Sequence, residues 1–289
     1  LASSAASDVY KRQARKGGTV EIPSGHFLTR TLFLKSNVNL HLHFGAELLG
    51  STDLDSYHKV FPELKGKESP ALIFARGVAN IAITGSGTIN GQGAHQNFQH
   101  GNDSKGGPRR PKIIYFIGCN NVRVQDVTLR NSAYWTQDYE KCNGVIVRGV
   151  KVYSHANWNN DGLDIDSRNV VVSDCYIDCD DDALCLKSDT DTPCENVTVT
   201  NCVLKSNCNA IKFGTSSYSG FKNVTISNCT IDRASEDHIR QWYKNYPWIG
   251  TKHKTVVAGI ALESVDGGII ENVSISDIAM QGVQTPIFV

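Results

Sequence analysis

The chain has 289 residues, with 29 basic and 29 acidic side chains, a formal net charge of +0 and a pI of about 7.2. That balance excludes a protein-wide electrostatic grip on nucleic acid or on an acidic membrane surface, so an acidic ligand would need a local basic patch. No apolar run approaches the ~20 residues of a membrane span, and the length suits a substantial core in one or two domains.

Residues 1–13 begin with Leu1 rather than Met and show no strand pattern, so they are read as a non-native or disordered leader. The remainder, 14–289, is expected to be one domain, C-terminally truncated because it stops within the strand-like run Pro286-Ile287-Phe288-Val289. A unit of Asn followed by alternating apolar and polar residues then recurs. It starts at Asn80, Asn121, Asn143, Asn169, Asn196, Asn223 and Asn272, in steps of 41, 22, 26, 27, 27 and 49. Four steps are one turn of a repeat; 41 and 49 fit two turns or one turn with an insertion. Period-2 alternation means strands. A unit this short cannot bury its own apolar face, so it must stack on the next, ~4.8 Å away. The expected architecture is all-β, a single parallel β-solenoid with short strands and loops leaving at the corners. The leading Asn suits a turn and can ladder with its neighbours.

Three segments break the rhythm and are read as loops: 51–70, 91–112 and 233–255. The last carries Arg240, Trp242, Tyr243, Tyr246 and Trp248 and is a candidate sugar-stacking wall. The Cys175, Cys202 and Cys229 steps of 27, and the 23-residue steps Cys119–Cys142 and Cys185–Cys208, predict stacked inward thiols rather than a disulfide framework. The N-x-S/T sequons at Asn102, Asn196, Asn223, Asn228 and Asn272 fall mostly on repeat strands and are better explained by the repeat than by glycosylation.

Of the eight aspartates in residues 161–182, four stand in two motifs: Asp161 and Asp164, then Asp181 and Asp182. The 20 residues between Asp161 and Asp181 are close to one turn, so the acids should cluster on neighbouring rungs. Clustered carboxylates repel, and one tends to keep its proton near neutral pH. A protonated acid beside an ionised one suits glycosidic-bond hydrolysis. The competing use is a calcium site. That would suit a β-eliminase needing an Arg or Lys base, yet no Arg follows Asp182 until Arg233.

Several motifs resemble, in order, those of the family 28 glycoside hydrolases, which include polygalacturonases and rhamnogalacturonan hydrolases. They are Gly17-Gly18-Thr19-Val20, Leu34-Lys35-Ser36-Asn37-Val38, Gly85-Ser86-Gly87-Thr88-Ile89-Asn90-Gly91, Asn131-Ser132-Ala133-Tyr134-Trp135-Thr136, Asn159-to-Asp164 and Asp181-Asp182. The resemblance implies an all-β, single-stranded right-handed parallel β-helix and inverting hydrolysis of α-linked galacturonate bonds of pectin, without a cofactor or metal. It makes Asp181 the general acid and gives Asp161 and Asp182 the activation of water. Asn159, Asp164, Asn209, Lys212, Lys187 and Glu263 become candidate substrate-binding residues. The implied partner is a pectic polysaccharide, with no nucleic acid or membrane; a monomer, secreted or periplasmic, is expected.

Two positions depart from the family pattern. Its G-H-G is here Cys208-Asn209-Ala210, and its R-I-K is Ala261-Leu262-Glu263. The cations that hold a galacturonate carboxylate are missing and one is an acid. Lys212 and Lys187 are possible replacements; otherwise a neutral sugar such as rhamnose, as in a rhamnogalacturonan hydrolase, would fit beyond the cleaved bond. A non-catalytic pectin-binding β-helix is the reading from another class.

Overall fold

Alternation dictates the architecture seen in the computed structural model, which describes residues 17–61, 69–98, 110–236 and 256–289. The described strands form one continuous 23-stranded sheet, wound as the expected right-handed parallel β-helix. Each strand lies parallel to its equivalent one turn later. Val20 stands against Leu40, then Ile83, Val124, Val147, Val172, Val199 and Ile226, all buried. Each such side chain contributes roughly 1.5–3 kcal/mol on burial, and the column runs almost the length of the helix. Among the described residues, no helix is long and apolar enough to cross a membrane.

The Asn ladder forms as expected. Asn169 Nδ2 donates to Asn143 Oδ1 at 2.7 Å, Asn196 to Asn169 and Asn223 to Asn196 at 3.0 Å each, and Asn272 to Asn223 at 3.1 Å. Asn169, Asn196, Asn223 and Asn272 have φ of 54–57°, a conformation Asn tolerates better than other residues bearing a Cβ. The steps of 41 and 49 are each a single turn with an insertion, because Asn121 bonds Asn80 and Asn272 bonds Asn223 directly.

All nine cysteines are unbridged thiols. Cys175, Cys202 and Cys229 line the interior in a column, and Cys119 lies beside Cys142. The Cys185–Cys208 pair is not a stack. Cys185 stands against Asp164 and Lys212 on the outer face of its sheet, and Cys208 is partly exposed. Equal spacing there spans a corner rather than one strand position.

The segment 51–70 is not wholly loop: Leu54–Val60 is a helix. Its apolar contacts, Leu54, Tyr57 and Phe61, recur at helical spacing beneath a polar surface pattern. In 91–112, Gln96–Phe98 is a single 3₁₀ turn that buries Phe98, and Lys112 already begins a strand. The proposed aromatic wall falls on 237–255, outside the described residues.

Candidate active site

One face of the helix carries the acids. Here Leu163 pairs with Leu184 and Leu184 with Ile211, inside the core. The preceding residues follow the same register: Gly162 N donates to Asp182 O at 2.8 Å and Ala183 N to Asn209 O at 2.9 Å. Asp161, Asp182 and Asn209 therefore stand on three successive rungs. Asp182, rather than Asp181, lies across from Asp161, because the turn here is one residue longer than the 20 expected. Gly162 permits this spacing: a Cβ there would stand 2.7 Å from Ala183 O and collide with Ile177.

Beside that column, Asp164, Cys185, Lys212 and Ala261 line up outward. Lys212 Nζ lies 3.1 Å from Asp182 Oδ2 and 3.7 Å from Glu263 Oε2. Lys187 Nζ lies 3.1 Å from Asp164 Oδ1 and 4.4 Å from the centre of the Trp135 ring. Lys112 Nζ sits 4.4 Å from that same ring and 2.5 Å from Asp138 Oδ2. Two ammonium groups thus lie against the Trp135 ring, which stacks on Tyr134 at 5.3 Å.

These contacts sort the acids. Burial raises the Asp182 carboxyl, but Lys212, Lys187 and the Asn209 amide outweigh it, so its pKa lies below the usual value. Asn209 donates to Asp182 Oδ1 from its backbone N at 3.1 Å and from Nδ2 at 2.7 Å. Asp161 is the opposite case. Burial, then Asp164 and Asp181, push its pKa well above normal, and its buried Oδ1 has no hydrogen-bond partner. Asp164 is pushed up to about 7 by burial, against the pull of Lys187. Burial disfavours the Lys187 ammonium, yet Cys185 and then the Asp164, Asp161 and Asp182 carboxyls hold its pKa well above the lysine norm. The cluster therefore keeps at least one proton at neutral pH while Asp182 stays ionised.

The predicted residues gather here, with different immediate roles. Asn159 accepts from Arg110 Nη2 at 3.3 Å. Asn160, at the middle of the N-T-D position, is fully buried and donates to Ser132 O at 2.8 Å and Tyr134 O at 3.1 Å. Asp164 is fully buried against Lys187, so it supports the cluster from behind. Glu263 accepts from Thr215 Oγ1 at 3.2 Å and faces Lys212. Asp181 and Asp182 offer oxygens within 4.8 Å of each other and of Cys208 Sγ. A metal ion between them would compete with the Lys212 ammonium at Asp182.

Sequence reasoning missed Arg110 and His155. Arg110 Nη1 donates to Ala133 O, Asn157 Oδ1 and Trp158 O at 2.9, 3.0 and 2.6 Å, tying three turns together behind the site. Its signal was an Arg beside Pro111 in a segment dismissed as polar loop. His155 Nε2 lies 2.9 Å from Asp178 Oδ1, which also accepts from Ser235 N at 3.0 Å. No repeat position marks His155, so nothing in the pattern would have found it.

A β-helix presenting protonated and ionised carboxyls side by side on one face has the equipment of a polysaccharide-cleaving hydrolase. The chain belongs to the glycosyl hydrolases family 28, whose model matches residues 13–289. It is 31% identical over 200 residues to a probable polygalacturonase of Vitis vinifera, covering 65% of this chain and 40% of that protein. It is 26% identical over 219 residues to an exo-poly-alpha-D-galacturonosidase of Dickeya chrysanthemi, covering 58% of this chain and 36% of that one. The chain thus spans less than half the length of these relatives. Its fold matches a family 28 exopolygalacturonase from Yersinia enterocolitica with a TM-score of 0.74 and 24% identity, covering 96% of this chain and 56% of that one. A polygalacturonase from Erwinia carotovora gives a TM-score of 0.76 at 19% identity, covering 100% of this chain and 78% of that one.

Proposed function

We propose that the protein hydrolyses α-linked galacturonate bonds in pectic polysaccharide, outside the cytoplasm and as a monomer. The observation that carries this is the unequal setting of the acids in one cluster: the Lys212 ammonium 3.1 Å from Asp182 holds that carboxyl's pKa down, while burial beside Asp164 and Asp181 pushes the Asp161 pKa up. Asp182 takes a proton from the attacking water. The water oxygen bonds to the anomeric carbon as the glycosidic bond breaks, and Asp181 gives its proton to the leaving oxygen. Asp161, whose buried carboxyl lacks a partner on Oδ1 and whose pKa is pushed up by burial, acts as the adjacent proton store in place of the water activation that the resemblance gave it. Inversion rests on family membership, since the Asp181–Asp182 spacing alone favours neither outcome.

The test is Asp181→Asn against the wild type on homogalacturonan, counting new reducing ends and following the first-formed anomer by proton NMR. A folded but inactive variant and an inverted first product support the reading. A fully active Asp181→Asn removes the acid assignment; a retained anomer removes inversion.

One observation favours a second reading of the substrate. Glu263 stands where a cation would meet a galacturonate carboxylate, and it already engages Lys212. A sugar carboxylate at that point would face like charge, whereas a neutral sugar such as rhamnose would not. Release of reducing ends from rhamnogalacturonan backbone but not from homogalacturonan selects this reading.

A further inference from the structure

Away from the acid cleft, three ligand-type side chains converge on the first two rungs. Along Val38–Leu42 the alternation turns Asn39 and His41 outward, and His43 continues on the same side. In the parallel register Glu21 stands directly beside His41. His43 Nε2 lies 2.6 Å from Glu21 Oε2, and the His41 and His43 rings meet edge to face at 5.1 Å. One ligand atom from each of Glu21, His41 and His43 lies within 4.8 Å of the others.

The third rung fixes the His41 tautomer. Thr84 Oγ1 donates its proton to Asn39 Oδ1 at 3.0 Å. That hydroxyl oxygen is left to accept from His41 Nδ1 at 2.8 Å. Nδ1 therefore carries the hydrogen, and Nε2 keeps its lone pair. A hydrogen bond of this kind behind the imidazole is how metal-ligating histidines are oriented and made more basic.

We propose that Glu21, His41 and His43 bind one divalent transition-metal ion of the zinc class, through two imidazole nitrogens and one carboxylate oxygen. Imidazole and carboxylate together suit such ions. Without metal, the His43–Glu21 hydrogen bond holds two ligands within a small side-chain rotation of their bound positions. Metal binding exchanges that proton for the ion. Ligands from two rungs make the ion a clip at this end of the helix, so it raises thermal stability by mass action.

The experiment titrates zinc chloride into the full chain by calorimetry after dialysis against chelator, with thermal melts in parallel. One equivalent binds the wild type and raises Tm. His41→Ala and His43→Ala each abolish both effects, and Thr84→Val weakens affinity about 10–100-fold through the lost outer hydrogen bond. His26→Ala, an exposed histidine paired with Glu47, changes nothing. Should His41→Ala not fold, His43→Gln on a half-exposed side chain carries the same test. No zinc uptake by the wild type overturns the proposal. So does uptake that survives His41→Ala and is lost in Cys208→Ser, which would place the ion at the cleft acids.

Discussion

Lys212 and Asp182 sit on successive rungs with Nζ and Oδ2 3.1 Å apart, and this contact keeps a buried carboxylate ionised. Parallel β-helix register makes it possible. Residues one turn apart stand about one strand spacing from each other, so a lysine on one rung reaches an acid at the edge of the previous one. The same lysine is shared with Glu263 at 3.7 Å. Lys212 therefore balances an acid on either side.

Replacing Lys212 by Met is expected to raise the Asp182 pKa. A base must be ionised to take a proton, and here the folded carboxyl lies below its ordinary value partly because of Lys212. Without the ammonium, protonation begins at higher pH, so the acid limb of the kcat/KM profile moves upward by about a unit or more. The check is a pH–rate profile of reducing-end release for both proteins. An unmoved acid limb would mean that Asp182 is not the base or that Lys212 does not set its charge.

Asp161→Asn imitates the protonated form. Since burial raises the folded pKa, the native protein loses stability as pH climbs above the unfolded value of ~3.9, while the amide does not. The variant should be about as stable as wild type near pH 4 and more stable at pH 7, by denaturant unfolding. Its turnover should fall by ~10²–10⁴-fold, the range for a lost proton-transfer group. Wild-type turnover in this variant would exclude Asp161 from the proton path.

Much of this arrangement is legible from the chain. The helix follows from the Asn-led units, because a period of 2 within a repeat of 22–27 residues leaves stacking as the only way to bury the valines. The acids follow from their separation, though only the pairing of Leu163 with Leu184 shows that Asp182 stands across from Asp161. A one-residue difference in turn length is invisible in spacing and decides which carboxyl faces which. Partners from other turns are likewise hidden. From the chain, Lys187 and Lys212 read as candidate cations for substrate, and only the fold shows each against an acid. Arg110, in a segment with no repeat signature, reaches residues 23 to 49 positions away. The helix Leu54–Val60 is not legible in the chain because two short turns of apolar contacts are outweighed by their Asp and Ser neighbours.

Asp166 offers a stability test outside the catalytic set. It accepts from the Asp189 N–H at 2.9 Å, yet burial still lifts its pKa to about 7. The unfolded chain releases this proton near pH ~3.9. Between those values the folded state binds the extra proton, so stability falls as pH rises from about 4 to 7 and then levels. Asp166→Asn keeps an oxygen acceptor for Asp189 and removes the titration. Urea midpoints for the variant should decline less over that range than those of the wild type. Parallel curves would show that Asp166 ionises normally in the folded protein.

The Asn ladder separates two contributions at one position. Asn196 has φ of 56°, donates to Asn169 Oδ1 at 3.0 Å and accepts from Asn223 Nδ2 at 3.0 Å. Asn196→Gly keeps the left-handed backbone accessible but removes both side-chain bonds. Asn196→Ala also forces a Cβ into that conformation, at roughly 1–2 kcal/mol. The glycine variant should lose about 1–2 kcal/mol, as expected for two exposed bonds at the low end of their range. The alanine variant should lose about 1–2 kcal/mol more than glycine, both read from urea unfolding with unchanged m-value. Equal losses would assign the whole effect to the ladder and none to the backbone; a loss only in the alanine variant would make the stacked amides energetically silent.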